Sequence, residues 1–268
     1  MPVAPAEKYL PNYVSPMPPT TKTSISFGST AFIARKPSTP TTLAFVQLSN
    51  GHASYSFFDE NSAGKMIEKS DLPTQLDNVT GLLFGGISLA CDPSAEAYMQ
   101  FAESQVNSSV IMVDPNIRAN FISDEKRFRG RMTRMLELAD IVKVSDEDLN
   151  WLFPNPATLE EKVSKLQKLG PNVVILTCGS LGAKAWLTKR HTISVTGRNV
   201  DVVDTVGAGD AFNAGILTSL LEAGLLNKAN IQSISKSDIL RAVDFGTRVA
   251  AISVGRVGGA NPPWRDEL

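Results

Sequence analysis

The clearest chemical pattern in this sequence is a nine-residue string at 204–212, with the letters DTVGAGDAF. Its glycines, Gly207 and Gly209, allow a tight turn and a close approach of the backbone to a ligand. The residues that follow predict a helix, whose first N–H groups and dipole favour an anion such as phosphate. Asp210 would then lie in the first helical turn, where its carboxylate can accept a proton from an attacking hydroxyl. For a bare G-x-G-D, an ordinary glycine-rich turn is an equally good interpretation.

Two other segments place small or charged residues directly after predicted strands. Residues 177–183 (TCGSLGA) end a strand and continue with small residues that permit close approach to a phosphate or a ribose, with a plain turn as the alternative. Residues 114–118 (DPNIR) follow a strand ending at Val113, and ligands of α/β sheets bind outside the carboxyl ends of strands. Asp-Pro-Asn alone, however, is typical of a turn. Ser145, after another strand, is a natural N-cap for a helix from Asp146.

Short apolar runs alternate with helical stretches from about Thr41 onward. An Asn50-Gly51 turn between two β-rich runs, 42–48 and 53–58, predicts a hairpin. Further strands are predicted at 81–84, 110–113, 141–144 and 173–177, and helices at 94–105, 125–139, 158–169, 208–223 and 237–254. Thr158 and Glu161 have the spacing of a capping box. The alternation predicts an α/β fold with a mainly parallel sheet, helices on both faces and the hairpin as a separate flap.

The composition favours a small-molecule partner. The 268 residues suffice for one sizeable α/β domain, and 26 basic against 27 acidic residues leave a net charge of −1. A nearly neutral chain has no electrostatic reason to bind nucleic acid or an anionic membrane. The two cysteines and two histidines argue against a disulfide framework, a histidine-based metal site and a Ser-His-Asp triad. Since no apolar run approaches ~18 residues and no signal-peptide pattern occurs, we expect a cytoplasmic protein.

The string at 204–212 resembles the C-terminal signature of the ribokinase/PfkB carbohydrate kinases, D-T-x-G-A-G-D-x-F. The resemblance covers about residue 30 to the C-terminus, and the segments that are similar to bacterial fructokinases are 40–46, 55–64, 84–88 and 142–152. It implies a ribokinase-like three-layer sandwich at 29–268, with a small β lid at about 41–60 and a nucleotide-binding part at about 110–268. Residues 1–28, rich in proline and threonine, are expected to be a disordered tail.

The resemblance also implies roles for individual residues. Asp210 would be the catalytic base, and Arg118 an electrostatic clamp on the transferring phosphoryl group. The anion hole would consist of Gly207, Ala208 and Gly209. Residues implied in nucleotide binding are Asn116, Lys143, Ser145, Thr177, Gly179, Gly182 and Thr205, together with Gly207 and Gly209. Asp148 would contact the water shell of Mg²⁺, and Asp204 and Val206 would hold a monovalent cation. The implied cofactors are ATP and Mg²⁺, with K⁺ as a further candidate.

The sequence departs from the family pattern at several places. Ser145 and Asp148 replace the usual N-x-x-E pair, the segment 245–251 lacks the usual Asn of the adenine-side helix, and the loop at 256–263 carries an extra glycine. No G-G-x-x-x-N or G-x-D-x-x-G segment precedes Thr41, so most sugar contacts and some sheet strands of the family are expected to be missing. We therefore expect the chain as written to be a poor or inactive sugar kinase that still binds nucleotide. An unpaired sheet edge would also favour a homodimer.

The function that these residues indicate is ATP-dependent phosphorylation of a sugar hydroxyl, with fructose as the first candidate substrate. Phosphorylation of 2-keto-3-deoxygluconate is the alternative within the same chemistry, and a catalytically dead nucleotide-binding remnant is the alternative from another class. A Rossmann dehydrogenase is disfavoured because the glycine-rich turn comes late in the chain and not after the first strand.

Overall fold

The structure is a computed structural model that describes residues 32–49, 52–188, 191–257, 262–264 and 267–268. Residues 34–268 form one compact unit; of the preceding unit, 1–33, only Phe32 and Ile33 are described. The predicted disordered tail at 1–28 therefore lies outside the described residues. No helix in the described ranges combines the length and the apolar character that a bilayer span requires.

The predicted hairpin forms a two-stranded sheet of its own. Strand β1 (Leu43–Ser49) pairs antiparallel with β2 (His52–Phe58), with Leu43 opposite Phe58. The rings of Phe45 and Phe58 meet edge to face at 5.5 Å and are both exposed. The hairpin is not hydrogen-bonded to the main sheet, which confirms the prediction of a separate flap.

The main sheet has six strands in the order β3-β4-β5-β6-β7-β8. The strands are β3 (Gly81–Gly85), β4 (Val110–Asp114), β5 (Ile141–Ser145), β6 (Val173–Thr177), β7 (Gly182–Leu187) and β8 (His191–Thr196). The first four are parallel, as predicted, while β7 and β8 add antiparallel to β6. This antiparallel pair was not predicted from the sequence.

Helices cover both faces of this sheet. They are α1 (Ser94–Gln105), α2 (Glu125–Leu138), α3 (Asp146–Leu152), α4 (Leu159–Gln167), α5 (Ala208–Glu222), α6 (Lys228–Ile231) and α7 (Lys236–Val254). The predicted capping box is confirmed, because Glu161 N donates to Thr158 Oγ1 at 3.2 Å and Thr158 N donates to Glu161 Oε2 at 2.8 Å. Ser145 likewise caps α3, with Asp148 N donating to its hydroxyl at 3.0 Å.

Side-chain alternation along the strands divides the core into two layers. On β4, Ile111 and Val113 pack with α1 to α4, whereas Val110 and Met112 pack with α5 to α7. Because successive side chains of a strand point to opposite faces, a strand apolar at every position must be covered on both sides. The result is the three-layer α/β/α arrangement. The parallel strands bring their carboxyl ends, Gly85, Asp114, Ser145 and Thr177, to one edge of the sheet.

Candidate active site

The 204–212 string forms a turn and the first residues of α5. Gly207, the residue before the helix, has φ 77° and ψ 2°, a left-handed conformation that glycine adopts without strain. Before it, Val206 N donates to Asp204 Oδ1 at 2.9 Å and folds the loop back towards the helix. The first amides of a helix have no carbonyl partner within it, so the start of α5 presents N–H groups and positive potential towards an anion. Asp210 lies in this first turn, as predicted.

A buried polar cluster lies beneath that first turn. Lys143 Nζ of β5 is 3.0 Å from Asp114 Oδ2 at the end of β4, and Asn213 Nδ2 of α5 donates to the same oxygen at 2.8 Å. A side chain at Gly209 would meet the ammonium, since an added Cβ would lie 3.1 Å from Lys143 Nζ. The three side chains therefore connect two strands of the sheet to the helix that carries Asp210.

The surroundings of Asp210 favour its protonated form. Desolvation by neighbouring atoms raises the pKa of its carboxyl above the ordinary value, and the charge of Asp114 raises it further, whereas Lys143 and Arg118 lower it. The residue as a whole is exposed, so solvent screens part of these interactions. A carboxylate with raised proton affinity is a stronger base than an ordinary aspartate.

The loop after β4 is fastened to α3 by Asp148. Its Oδ1 accepts from Ile117 N at 2.7 Å, and its Oδ2 accepts from Ser145 N at 3.1 Å and from Ser145 Oγ at 2.7 Å. Asn116, just before Ile117, has a φ of 37°, so the backbone turns sharply there. Asp148 is buried and both of its oxygens have protein partners, so its contact with the water shell of a metal stays a prediction.

A cavity of about 470 Å³ opens beside the start of α5. The turn after β6 contributes Thr177, Gly179 and Gly182, and the 205–209 segment contributes Thr205, Ala208 and Gly209. Residues of α7, including Thr247, Ala250 and Ala251, form another wall. Gly182 is required by close approach: its φ is 98°, and an added Cβ would lie 2.1 Å from Val195 O.

The structure thus brings most of the predicted nucleotide residues together, but not all of them. Asn116, Ser145 and Gly207 do not line the cavity, and Lys143 is buried below Gly209. Arg118, the predicted clamp, does not line it either. Sequence reasoning missed Asn213 as a site residue. Its spacing three residues after Asp210 on a predicted helix, which puts both on one side, was the available signal.

The predicted metal contacts stay predictions in the described part of the chain. Within them, no group of three or more His, Cys, Asp or Glu side chains could hold a metal ion. Near the predicted monovalent-cation site, the amides of Val203 and Asp204 both donate to Val254 O, at 2.8 and 3.1 Å. Residues 258–261 of the predicted cation loop lie outside the described part of the chain.

Comparison with known proteins adds relatives to this geometry. A fructokinase of Rhizobium leguminosarum bv. trifolii is 42% identical over 205 residues, which are 76% of this chain and 62% of the relative. A probable chloroplastic fructokinase-6 of Arabidopsis thaliana is 33% identical over 232 residues, 84% of this chain and 58% of the relative. This chain therefore spans about 60% of the length of these relatives.

Solved structures of sugar kinases resemble this chain in fold. Fructokinase from Vibrio cholerae O395, with fructose, ADP and calcium ion bound, matches with a TM-score of 0.72 and 26% identity, covering 84% of this chain and 70% of that one. A sugar kinase from Pyrococcus horikoshii in complex with ATP matches with a TM-score of 0.72 and 26% identity, covering 87% and 71%. The family model of the pfkB carbohydrate kinases matches residues 29–266. The chain belongs to the pfkB family of carbohydrate kinases.

Proposed function

We propose that the protein transfers the γ-phosphoryl group of ATP to a hydroxyl of a sugar, with fructose as the acceptor. The observation that carries the proposal is the start of α5. There the left-handed Gly207 and the first turn of α5, which carries Asp210, adjoin a cavity of about 470 Å³ that Ala208 and Gly209 line. The fructokinase names of the relatives support fructose over other sugars.

The cavity fits a nucleotide. Its volume lies within the range of roughly 300–1,000 Å³ that small-molecule sites occupy. Its walls include small residues of the β6–β7 turn, residues of the 197–202 segment and apolar residues of α7 such as Ala250 and Ala251. A base and ribose would pack against these walls, and the phosphates would then extend towards the amides of Ala208 and Gly209.

Asp210 would act as the base that accepts the proton of the sugar hydroxyl. The raised pKa of its carboxyl makes it a stronger base than an ordinary aspartate. Arg118, whose charge acts on Asp210, would stabilise the negative charge on the equatorial phosphoryl oxygens as the phosphoryl group is transferred.

Metal ions would enter with the nucleotide. Mg²⁺ bound to the phosphates neutralises charge that develops in transfer. In the described residues, no carboxylate cluster would hold it directly, so Asp148 is its proposed contact through water. Asp204 and Val206 would hold K⁺ as a second cation.

A homodimer is the proposed assembly. In the described residues, β3 has a hydrogen-bonded strand on one side alone, and Leu83 on it is 44% exposed. An exposed strand edge with an apolar side chain is a template for pairing with a second copy.

The experiment that tests the proposal compares Asp210→Asn with Asp238→Asn. Asp238 also lies in the first turn of a helix, α7, but outside the cavity. Asp210→Asn should lower the kcat of fructose-dependent ADP release by roughly 10²–10⁴-fold, the usual contribution of a general base. Calorimetric titration should show little change in affinity for a non-hydrolysable ATP analogue.

Asp238→Asn should leave both quantities unchanged. Near-normal turnover in Asp210→Asn would show that another group accepts the proton. Binding of the analogue without any turnover in the parent protein, with fructose or with 2-keto-3-deoxygluconate, would contradict the kinase function itself.

A further inference from the structure

We propose that Lys143 is a positioning residue for Asp210: together with Asp114 and Asn213 it holds the first turn of α5 in place and supplies the positive charge against which Asp210 ionises. The inference deepens the proposed function, since it gives the base a support that the kinase signature does not contain. It assigns to Lys143 a place under the site instead of a contact with the nucleotide.

The cluster of Asp114, Lys143 and Asn213 is deeply buried. Asp114, Lys143 and Asn213 are 4%, 6% and 1% exposed, and they come from β4, β5 and α5. A buried ion pair is weak as a source of stability, because the cost of desolvating two charges offsets most of their attraction. Apolar residues of similar volume would fill the same space with equal or better stability. The charges therefore point to a role in the site above them.

The ammonium of Lys143 lies close to the start of α5. Lys143 Nζ lies 3.1 Å from the position that a Cβ of Gly209 would occupy, so no atom fits between them. Asn213, one turn after Gly209, is bonded to the same Asp114 oxygen that Lys143 contacts. Asn213 thus bonds α5 to the Asp114 carboxylate, and the counter-ion of that carboxylate lies directly beneath Gly209.

The hydrogen-bond acceptors of the cluster are not all paired with donors. Asp114 Oδ1 and Asn213 Oδ1 are buried and have no hydrogen-bond partner among the described residues. Two acceptor oxygens of the cluster thus lack donors, while Lys143 Nζ lies beside the Asp114 carboxylate beneath the first turn of α5.

Charges from several elements of the fold act on Asp210. From β4 comes the carboxylate of Asp114, from the following loop the guanidinium of Arg118, and from β5 the ammonium of Lys143. Its own helix contributes the positive end of the dipole. Lys143 offsets Asp114, so that without it two carboxylates would act on one another with Arg118 as the remaining cation.

The test measures protonation directly and needs no turnover. The ¹³C shifts of the side-chain carboxyls of Asp114 and Asp210 are followed against pH in the parent protein and in Lys143→Met, with Asp210→Asn to assign the signals. In Lys143→Met, one of the two carboxyls should keep its proton to a pH about one unit above the parent midpoint of Asp210, since an adjacent like charge disfavours ionisation. The double variant Lys143→Met/Asp114→Asn removes both charges and should return Asp210 to within about half a unit of the parent.

Lys228→Met is the matched control. Lys228 Nζ lies 2.6 Å from Asp140 Oδ2, a second Lys–Asp pair of low exposure, next to the amino end of β5. This variant should lose stability but leave the Asp210 midpoint unchanged. The proposal is overturned if both carboxyls of Lys143→Met titrate at or below the parent midpoint, or if Lys228→Met shifts Asp210 equally. A parent protein that shows no turnover would contradict the proposed function, whereas these midpoints would still be measured.

Discussion

Asp210 combines two demands that oppose each other at the scale of a single side chain. In its proposed role as a base, Asp210 must be ionised to accept a proton, yet desolvation and the nearby Asp114 both raise the pKa of its carboxyl. Between the pKa of the unfolded chain, about 3.9, and the higher pKa of the folded protein, the folded state binds more protons. The contribution of Asp210 to the free energy of unfolding is therefore fully present below about pH 3.9. It is lost as the pH rises through the pKa of the Asp210 carboxyl in the folded protein.

Asp210→Asn removes this loss, so the variant should unfold at a higher urea concentration than the parent at pH 7. The difference should disappear near pH 3.5, where the parent carboxyl is protonated in both states. Asp238 provides the opposite case, because a hydrogen bond from Ser235 holds the pKa of its carboxyl below the ordinary value. Asp238→Asn should therefore lower stability at pH 7. An Asp210→Asn protein less stable than its parent at pH 7 would contradict the effect of burial described above.

At the scale of secondary-structure elements, two capping boxes with the same local geometry differ in what else they hold. Asp148 and Glu161 each occupy the third position of a helix and bond back to the N-cap residue. Glu161 is exposed, whereas Asp148 is buried and also accepts from Ile117 N in the loop that leads to Arg118.

Asp148→Ala should cost about 1–3 kcal/mol of unfolding free energy, since it leaves a part-buried backbone N–H without its acceptor. Glu161→Ala should cost less, because the carboxylate of Glu161 is exposed. Chemical denaturation measures both values. If the loop depends on Asp148, the amide resonance of Ile117 will broaden or shift in Asp148→Ala and remain unchanged in Glu161→Ala.

The elements that the sequence predicted well are those with strong local signals. Strand β4 is apolar at four successive positions, and α4 begins with a capping box, so both were predicted within two residues. Strands β7 and β8 were missed because the pattern after Thr177 was interpreted as a turn alone. Their pairing to β6 is antiparallel and needs no helical crossover, so no helix separates them in the sequence.

The site shows the same division. Asp210 and its glycines were predictable because the nine-residue string is local. The burial of Lys143 was not predictable, because its partner Asp114 is 29 residues away, and Asn213, which bonds to the same carboxylate from α5, is 70 residues away.

At the scale of the whole molecule, α5 and α7 cross with their backbones in contact. An added Cβ at Gly215 of α5 would lie 2.7 Å from Gly246 Cα of α7 and 3.2 Å from Val249 Cγ2. Gly215→Ala should therefore force the helices apart and cost about 1–3 kcal/mol, as overpacked cores do. Gly130→Ala is the matched control, because nothing lies within 4 Å of an added Cβ on α2, and it should stabilise by about 0.5–1 kcal/mol. Equal thermal stability of the two variants would contradict the importance of the crossing.

The backbones of the two helices approach each other at Gly215 and Gly246, and side chains of both helices pack closely around that point. The two helices should therefore open as one cooperative unit, and their amide protons should exchange with deuterium at the same free energy of opening. The turn that begins α5 should then open as rarely as α7 does. A non-hydrolysable ATP analogue should slow exchange near Leu240 and Arg241, residues of α7 outside the cavity, as well as at the start of α5. Slower exchange confined to α5 would show that the two helices open independently.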